Sequence, residues 1–173
     1  MFFITKNGFT LFELITTLAV LAIISAIALP YYQKTMAEQE VKTTISKLSL
    51  ANRSAKNLAV LHHSNIVICP SKDFTQCKSD AWSNGFIIFI DMNKNRSVDT
   101  DEQILQTEAL DLKYGYLDWK GTLSIPSVTF QAWSGLPIGS NGGFYYCSLA
   151  NLPHQKLNLS KMGHMRIEHP TTC

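Results

Sequence analysis

Between Asp91 and Glu102 the chain sets oxygen-bearing side chains at positions one, three, five, nine and twelve: Asp91, Asn93, Asn95, Asp99 and Glu102. That spacing matches a calcium loop, because hard divalent cations take carboxylate and amide oxygens at such intervals. Position six, where glycine permits the sharp turn, is Arg96, whose own charge opposes a bound cation. Strand-like runs flank the segment, so it reads first as a polar turn in which Asn and Asp bond their own backbone. Nearer the C-terminus, Lys156, Lys161, Arg166, His154, His164 and His169 are balanced by Glu168 alone. A locally basic stretch suits phosphate, which needs reliable positive charge; the plainer reading is a hairpin with scattered solvated charges.

The four cysteines, Cys69, Cys77, Cys147 and Cys173, show no C-x-x-C spacing, which argues against zinc. Their even number suits disulfides in an exported domain, with three pairings open. Of these, Cys69–Cys77 as a short loop and Cys147–Cys173 tying down the C-terminus are favoured. No Gly-x-Ser-x-Gly elbow, His-Glu-x-x-His pair or phosphate loop occurs, and no Asp, His and Ser spacing singles out a triad. The chain therefore reads as a non-enzyme with no cofactor. Trp82, Trp119 and Trp133 read as core or sheet-face packing in preference to a sugar-binding platform.

One acid stands apart. Glu13 lies inside Phe9 to Leu29, a run otherwise made of apolar residues and Ser and Thr hydroxyls. As a helix these residues span roughly 30 Å, the thickness of bilayer hydrocarbon. A carboxylate there costs on the order of 2.5–3.5 kcal/mol on insertion scales, so it needs a partner or a role. The eight residues before the run carry a single charge, Lys6, and end in Gly8. An ordinary secretory signal places its small cleavage residue after the apolar stretch. A cut at Gly8 would instead leave the hydrophobic helix on the mature protein.

This arrangement resembles the class III signal of type IV pilins and pseudopilins. The resemblance implies a prepilin peptidase that cuts after Gly8 and N-methylates Phe9. It also implies that Glu13 pairs with the terminal amine of a neighbouring subunit, and that Pro30 bends the helix. In the head, Cys69-Pro70, Cys77, Trp82-Ser83-Asn84-Gly85, Phe89 to Asn93, Val128-Thr129-Phe130, Gly135 and Gly142-Gly143-Phe144 with Cys147 resemble the GspH/FimT branch of that family. Some members of the branch bind DNA through a C-terminal Gly-Arg-x-Arg motif. Here the aligned residues are Gly163-His164-Met165-Arg166. A histidine in place of the first arginine is largely neutral at pH 7 and lacks the guanidinium fork, with Lys161 as the nearest substitute.

The elements that must position these residues follow from periodicity. Past Pro30, Val41, Ile45, Leu48, Ala51 or Asn52, Ala55, Leu58 and Ala59 recur at helical steps, with Glu38 and Lys42 spaced as an i,i+4 pair. A helix from Phe9 to Leu61 would run ~80 Å. His62-His63 marks its transition into a loop. Beyond it, Ile66–Cys69, Phe86–Ile90, Gln103–Gln106, Leu123–Ile125, Val128–Trp133, Phe144–Leu149, Leu157–Leu159 and Met165–Glu168 read as strands. Turn clusters rich in Gly, Pro, Asn and Ser separate them, including Gly139 to Gly143.

The expected architecture is α+β, a pilin fold: a long N-terminal transmembrane and stalk helix packed on an antiparallel, sandwich-like β head. Its divisions are a leader (1–8), a transmembrane half-helix (9–30), an amphipathic half-helix (31–62) and a periplasmic head (63–173). The net charge of +2 gives no global bias toward nucleic acid. The expected role is that of a minor pilin in the inner membrane, joining other minor and major pilins in a filament. A type II secretion pseudopilin and a DNA-capturing subunit are the alternatives.

Overall fold

The computed structural model describes residues 10–173. A single helix, α1 (Leu11–His62), is followed by eight strands: β1 (Asn65–Pro70), β2 (Gly85–Asp91), β3 (Ile104–Ala109), β4 (Gly115–Gly121), β5 (Val128–Phe130), β6 (Gly142–Ser148), β7 (Gln155–Leu159) and β8 (Met165–Glu168). The strands form two antiparallel four-stranded sheets, ordered β3-β2-β1-β5 and β4-β6-β7-β8. One helix with antiparallel sheets is the expected α+β arrangement.

By internal contacts the chain divides at Met36/Ala37. In the first unit, every large apolar side chain from Leu11 to Leu29 is 50% or more exposed. Among the described residues, α1 is the one helix long and apolar enough to cross a membrane. Its hydroxyls do not burden that surface. Thr16, Thr17 and Ser25 donate to carbonyls three or four residues back, which satisfies each group inside the helix. Pro30 lies inside the helix, where it removes one backbone donor.

In the second unit, α1 buries Ala37, Val41, Thr44, Leu48, Ala51, Asn52, Ala55 and Ala59. These three- and four-residue steps place one stripe against the sheets, and the alanines let the helix backbone approach closely. Their partners include Ile66, Ile68, Phe86, Ile88 and Phe130 from one sheet and Trp119, Phe144, Tyr146, Leu157 and Leu159 from the other. The ring of Trp82 meets Phe144 edge-on at 4.9 Å. On the far face of β1 and β2, Val67, Cys69, Ile87 and Phe89 form a second core under Phe74, Cys77, Val98 and Ile104. Both faces of these strands are therefore dry, which is why they read as continuous apolar runs.

Two strand expectations are corrected. Leu123–Ile125 is not a strand; Thr122–Ser124 form a single 3-10 turn, with Leu123 and Ser124 at positive φ. The strand lies just before it, in Gly115–Gly121, where Leu117 and Trp119 point inward and Tyr116 and Asp118 outward. The run expected from Val128 to Trp133 stops at Phe130, because a turn closed by Gly135 N–H on the Gln131 carbonyl begins there.

Candidate functional site

Processing would act on Gly8 and Phe9, which lie outside the described residues. The first described polar side chains are Thr10 and Glu13, and they bond each other. The Thr10 N–H and hydroxyl donate to Glu13 Oε2 at 3.0 and 2.9 Å, and the Glu13 N–H donates to Thr10 Oγ1 at 3.2 Å. This is a capping box, in which a Thr and a Glu three residues on satisfy each other's free backbone donors. Sequence reasoning treated Glu13 as an acid awaiting an outside partner and missed the Thr10-x-x-Glu13 spacing that signals the local one.

A second glutamate on α1 does different work. Glu40 accepts from Lys113 N–H at 2.8 Å, Tyr114 N–H at 3.1 Å and the Tyr146 hydroxyl at 2.7 Å. Burial, followed by this bond to Glu40, raises the Tyr146 phenol well above its ordinary range. Lys47 adds an ion pair to Glu108 at 2.7 Å and a bond to the Ala109 carbonyl at 2.8 Å. Asn52 Nδ2 donates to the Gly163 carbonyl. The expected Glu38–Lys42 pair does not form; the ion pairs among the described residues are Lys47–Glu108 and Lys156–Glu168.

The loop between β2 and β3 draws its five spaced residues together, chiefly onto their own donors. Asp91 is buried and accepts from Asn95 and Arg96 N–H, while Asp99 Oδ2 accepts from the amides of Asn93 and Asn95 at 2.7 Å. The carboxylate of Glu102 accepts from Met92 and Asp99 N–H. Burial raises the Asp91 carboxyl above the usual range, offset in part by Arg96 N–H and reinforced by the charge of Glu102. Arg96 takes φ +63°, the left-handed conformation that glycine would fill more easily. No group of three His, Cys, Asp or Glu side chains is placed to hold a metal among the described residues.

The C-terminal basic residues do not converge. His164 joins Asn52, Arg53 and Lys56 of α1 around a cleft of about 360 Å³ that Met165 and Ile167 also line. Arg166, between those two on β8, alternates to the opposite face beside Asn158. Lys161 sits exposed in the turn closed by Gly163 N–H on the Ser160 carbonyl. On the outer sheet face Lys120 and Lys156 flank the Tyr145 ring at 4.7 and 5.5 Å, and Lys156 is partnered by Glu168 at 3.2 Å.

Disulfides join Cys69 to Cys77 and Cys147 to Cys173, with Cα separations of 5.5 and 5.9 Å. The first closes a loop ordered by Asp73, whose carboxylate is drawn down to about 2 by Thr75 and Gln76 N–H. The tryptophans divide. Trp82 and Trp119 are buried, and their ring N–H groups donate to the carbonyls of Pro126 and Ile125. Trp133 is 76% exposed, so its expected place in the core or on a sheet face is overturned.

A membrane-length apolar segment, continued by a half-helix that docks on antiparallel sheets, defines a pilin-like filament subunit. Residues 5–29 match the prokaryotic N-terminal methylation motif, and residues 44–163 match the family described as Type II transport protein GspH. The chain belongs to the GspH family of minor pilins and pseudopilins.

The chain is 37% identical over 71 residues to a fimbrial protein of Pseudomonas aeruginosa, covering 41% of this chain and 46% of that one. It is 35% identical over 69 residues to fimbrial protein EcpB of Eikenella corrodens, covering 39% and 42%. It thus spans less than half the length of these relatives. Two solved structures share the fold. The type IV minor pilin FimU of P. aeruginosa has TM-score 0.57 at 18% identity, over 79% of this chain and 96% of that one. The minor pseudopilin EpsH of the Vibrio cholerae Type 2 Secretion System has TM-score 0.52 at 10% identity, over 76% and 98%. Family membership implies association with other pilins or pseudopilins, membrane anchoring and cleavage by a prepilin peptidase. The family and these neighbours are structural subunits.

Proposed function

We propose that the chain is a minor subunit of a type IV pilus. A prepilin peptidase cuts after Gly8 and methylates Phe9, and the protein waits in the inner membrane with its head in the periplasm. The helix from Phe9 to Pro30 then carries it into a filament, where it primes assembly or sits at the tip. The carrying observation is the exposed apolar surface from Leu11 to Leu29. Such a surface needs lipid or other helices around it. Transfer from lipid to a helical bundle leaves Glu13 in an apolar setting, where a neighbour's terminal ammonium lowers the cost of both charges. Disulfides fit an oxidising compartment for the head. The fimbrial relatives favour a pilus.

The family description and the likeness to EpsH favour a second reading, a pseudopilin of a type II secretion system. A deletion strain scored for surface pili, exoprotein release and transformation separates the roles. Loss of pili with normal secretion supports the first reading. Loss of secretion with normal piliation replaces it with the second, and loss of transformation alone points to DNA capture. Mass spectrometry of the native protein should find methylated Phe9 at its terminus; an intact Met1 would overturn both filament readings.

A further inference from the structure

The exposed indole of Trp133 stands over a polar cleft of about 400 Å³ at the end of the head where α1 terminates. Antiparallel pairing brings three strand ends together there. Asn65 on β1 pairs with Asp91 on β2, and the Ile66–Phe130 register carries Asn65 opposite Gln131 after β5. Planar polar side chains thus stand one strand apart, at roughly 4.8 Å spacing. His63, left-handed at φ +50°, and Lys94 complete the rim.

The turn that carries the indole is held in place. Ser134 and Gly135 N–H both donate to the Gln131 carbonyl, and a Cβ on Gly135 would come within 2.7 Å of the Lys56 carbonyl. That close approach pins the turn against α1. Trp133 is therefore presented by a fixed turn, which lowers the ordering cost of binding.

Unused bonding capacity marks the same place. Asn65 Oδ1 accepts from Ala132 N–H, but its Nδ2 has no partner among the described residues, nor have Gln131 Oε1, the Trp133 ring N–H or the His63 ring. The two buried indoles, by contrast, both have their N–H groups bonded. Here one apolar ring face adjoins amide and imidazole groups that both donate and accept. A pyranose matches that pattern, with an apolar C–H face and a rim of hydroxyls. The mixed charges of Lys94 and Asp91 favour a neutral ligand, and the volume lies in the range of small-ligand sites.

We propose that this cleft binds a neutral oligosaccharide, with Trp133 as the stacking platform and Asn65, Gln131 and His63 as hydroxyl partners. The proposal is independent of which filament the subunit joins. The test uses the full chain in a zwitterionic detergent without a sugar headgroup. Tryptophan fluorescence is titrated with maltotetraose, cellotetraose, chitotetraose and a β-1,4-galactotetraose. At least one should give a saturable change with a midpoint below about 10 mM. Trp133→Ala should weaken it at least about tenfold, and Gln131→Ala by a smaller factor, both with unchanged melting; saturation-transfer NMR reads binding in the variant that lacks the indole. Absence of saturation with all four sugars overturns the proposal, as does equal binding by Trp133→Ala. Unchanged sugar binding with reduced filament incorporation of Trp133→Ala would reassign the indole to a subunit contact.

Discussion

Glu13 and Glu40 sit on the same helix and both have their carboxylates engaged, yet by different parts of the protein. Glu13 is held by Thr10, one turn away, while Glu40 is held by Lys113, Tyr114 and Tyr146 from the head. The apolar residues around them divide the same way. Leu21 is 61% exposed, whereas Leu48 is buried in the core that both sheets share. One half of α1 thus spends its side chains inside the chain and the other keeps them for surroundings. Continuous helix does not mean continuous purpose.

The largest test of that division compares two truncations. Leu48→Ala should cost about 2–5 kcal/mol, because it opens a cavity in a packed core. Thermal melts of the full chain in detergent would record it. Leu21→Ala should leave the same melt unchanged; an equal drop would show that the two halves are not energetically separate.

Next in size is the anchor at Glu40. Tyr146→Phe should cost about 1–3 kcal/mol, since the carboxylate loses its side-chain donor while keeping two backbone N–H groups. The sign with pH is fixed by the raised phenol. Its contribution is full below the unfolded tyrosine value near about 10 and is lost as pH rises above it. Tyr146→Phe should flatten that alkaline fall in denaturant midpoint; an unchanged slope would assign the fall elsewhere.

At the other glutamate the expected effect on head stability is nil and the readout is filament content. Glu13→Ala should insert at least as well as the parent and incorporate less, because it removes a costly acid and its assembly partner. Thr10→Ala sharpens the comparison. It removes a cap worth about 0.5–2 kcal/mol to the helix end but keeps the carboxylate. If Thr10→Ala lowers incorporation as much as Glu13→Ala, capping explains the glutamate and no neighbouring amine is required.

The smallest effect concerns Asp73, a third carboxylate captured by local donors. With its pKa drawn down to about 2, its ordering of Thr75 and Gln76 should persist at neutral pH and fade as pH falls from about 4 toward 2. Protection of those two amides, measured against their intrinsic exchange rates, should fall across that window, and Asp73→Asn should abolish the pH dependence of the protection.

Much of this was legible in the sequence because period and burial agree. The stripe from Val41 to Ala59 packs as its spacing implied, and Met165–Glu168 is a strand at those bounds. Gly115–Gly121 was overlooked although Tyr116, Leu117, Asp118 and Trp119 alternate cleanly, because Gly at both ends reads as turn. Leu123 has the side chain of a strand residue but lies at φ +60° and is exposed, a placement that local propensity does not contain. Glu40 could not be found from its neighbours, since its donors lie more than 70 residues away. Trp133 failed for a similar reason: it lies in a turn whose Gly135 meets α1, a contact between distant segments.

The loop closed by Cys69 and Cys77 has a consequence for maturation. Cys69 belongs to the second core, and its partner Cys77, with Phe74, forms the roof over the outer side of β1 and β2. A head kept reduced would lose the covalent tie on that roof and keep the hydrogen bonds of Asp73 and Ser71 and that of Lys78 N–H to the Pro70 carbonyl, leaving Val67, Ile87 and Phe89 open to water whenever it lifted. The oxidant that seals the loop would then also decide whether the newly folded head stays soluble or clumps.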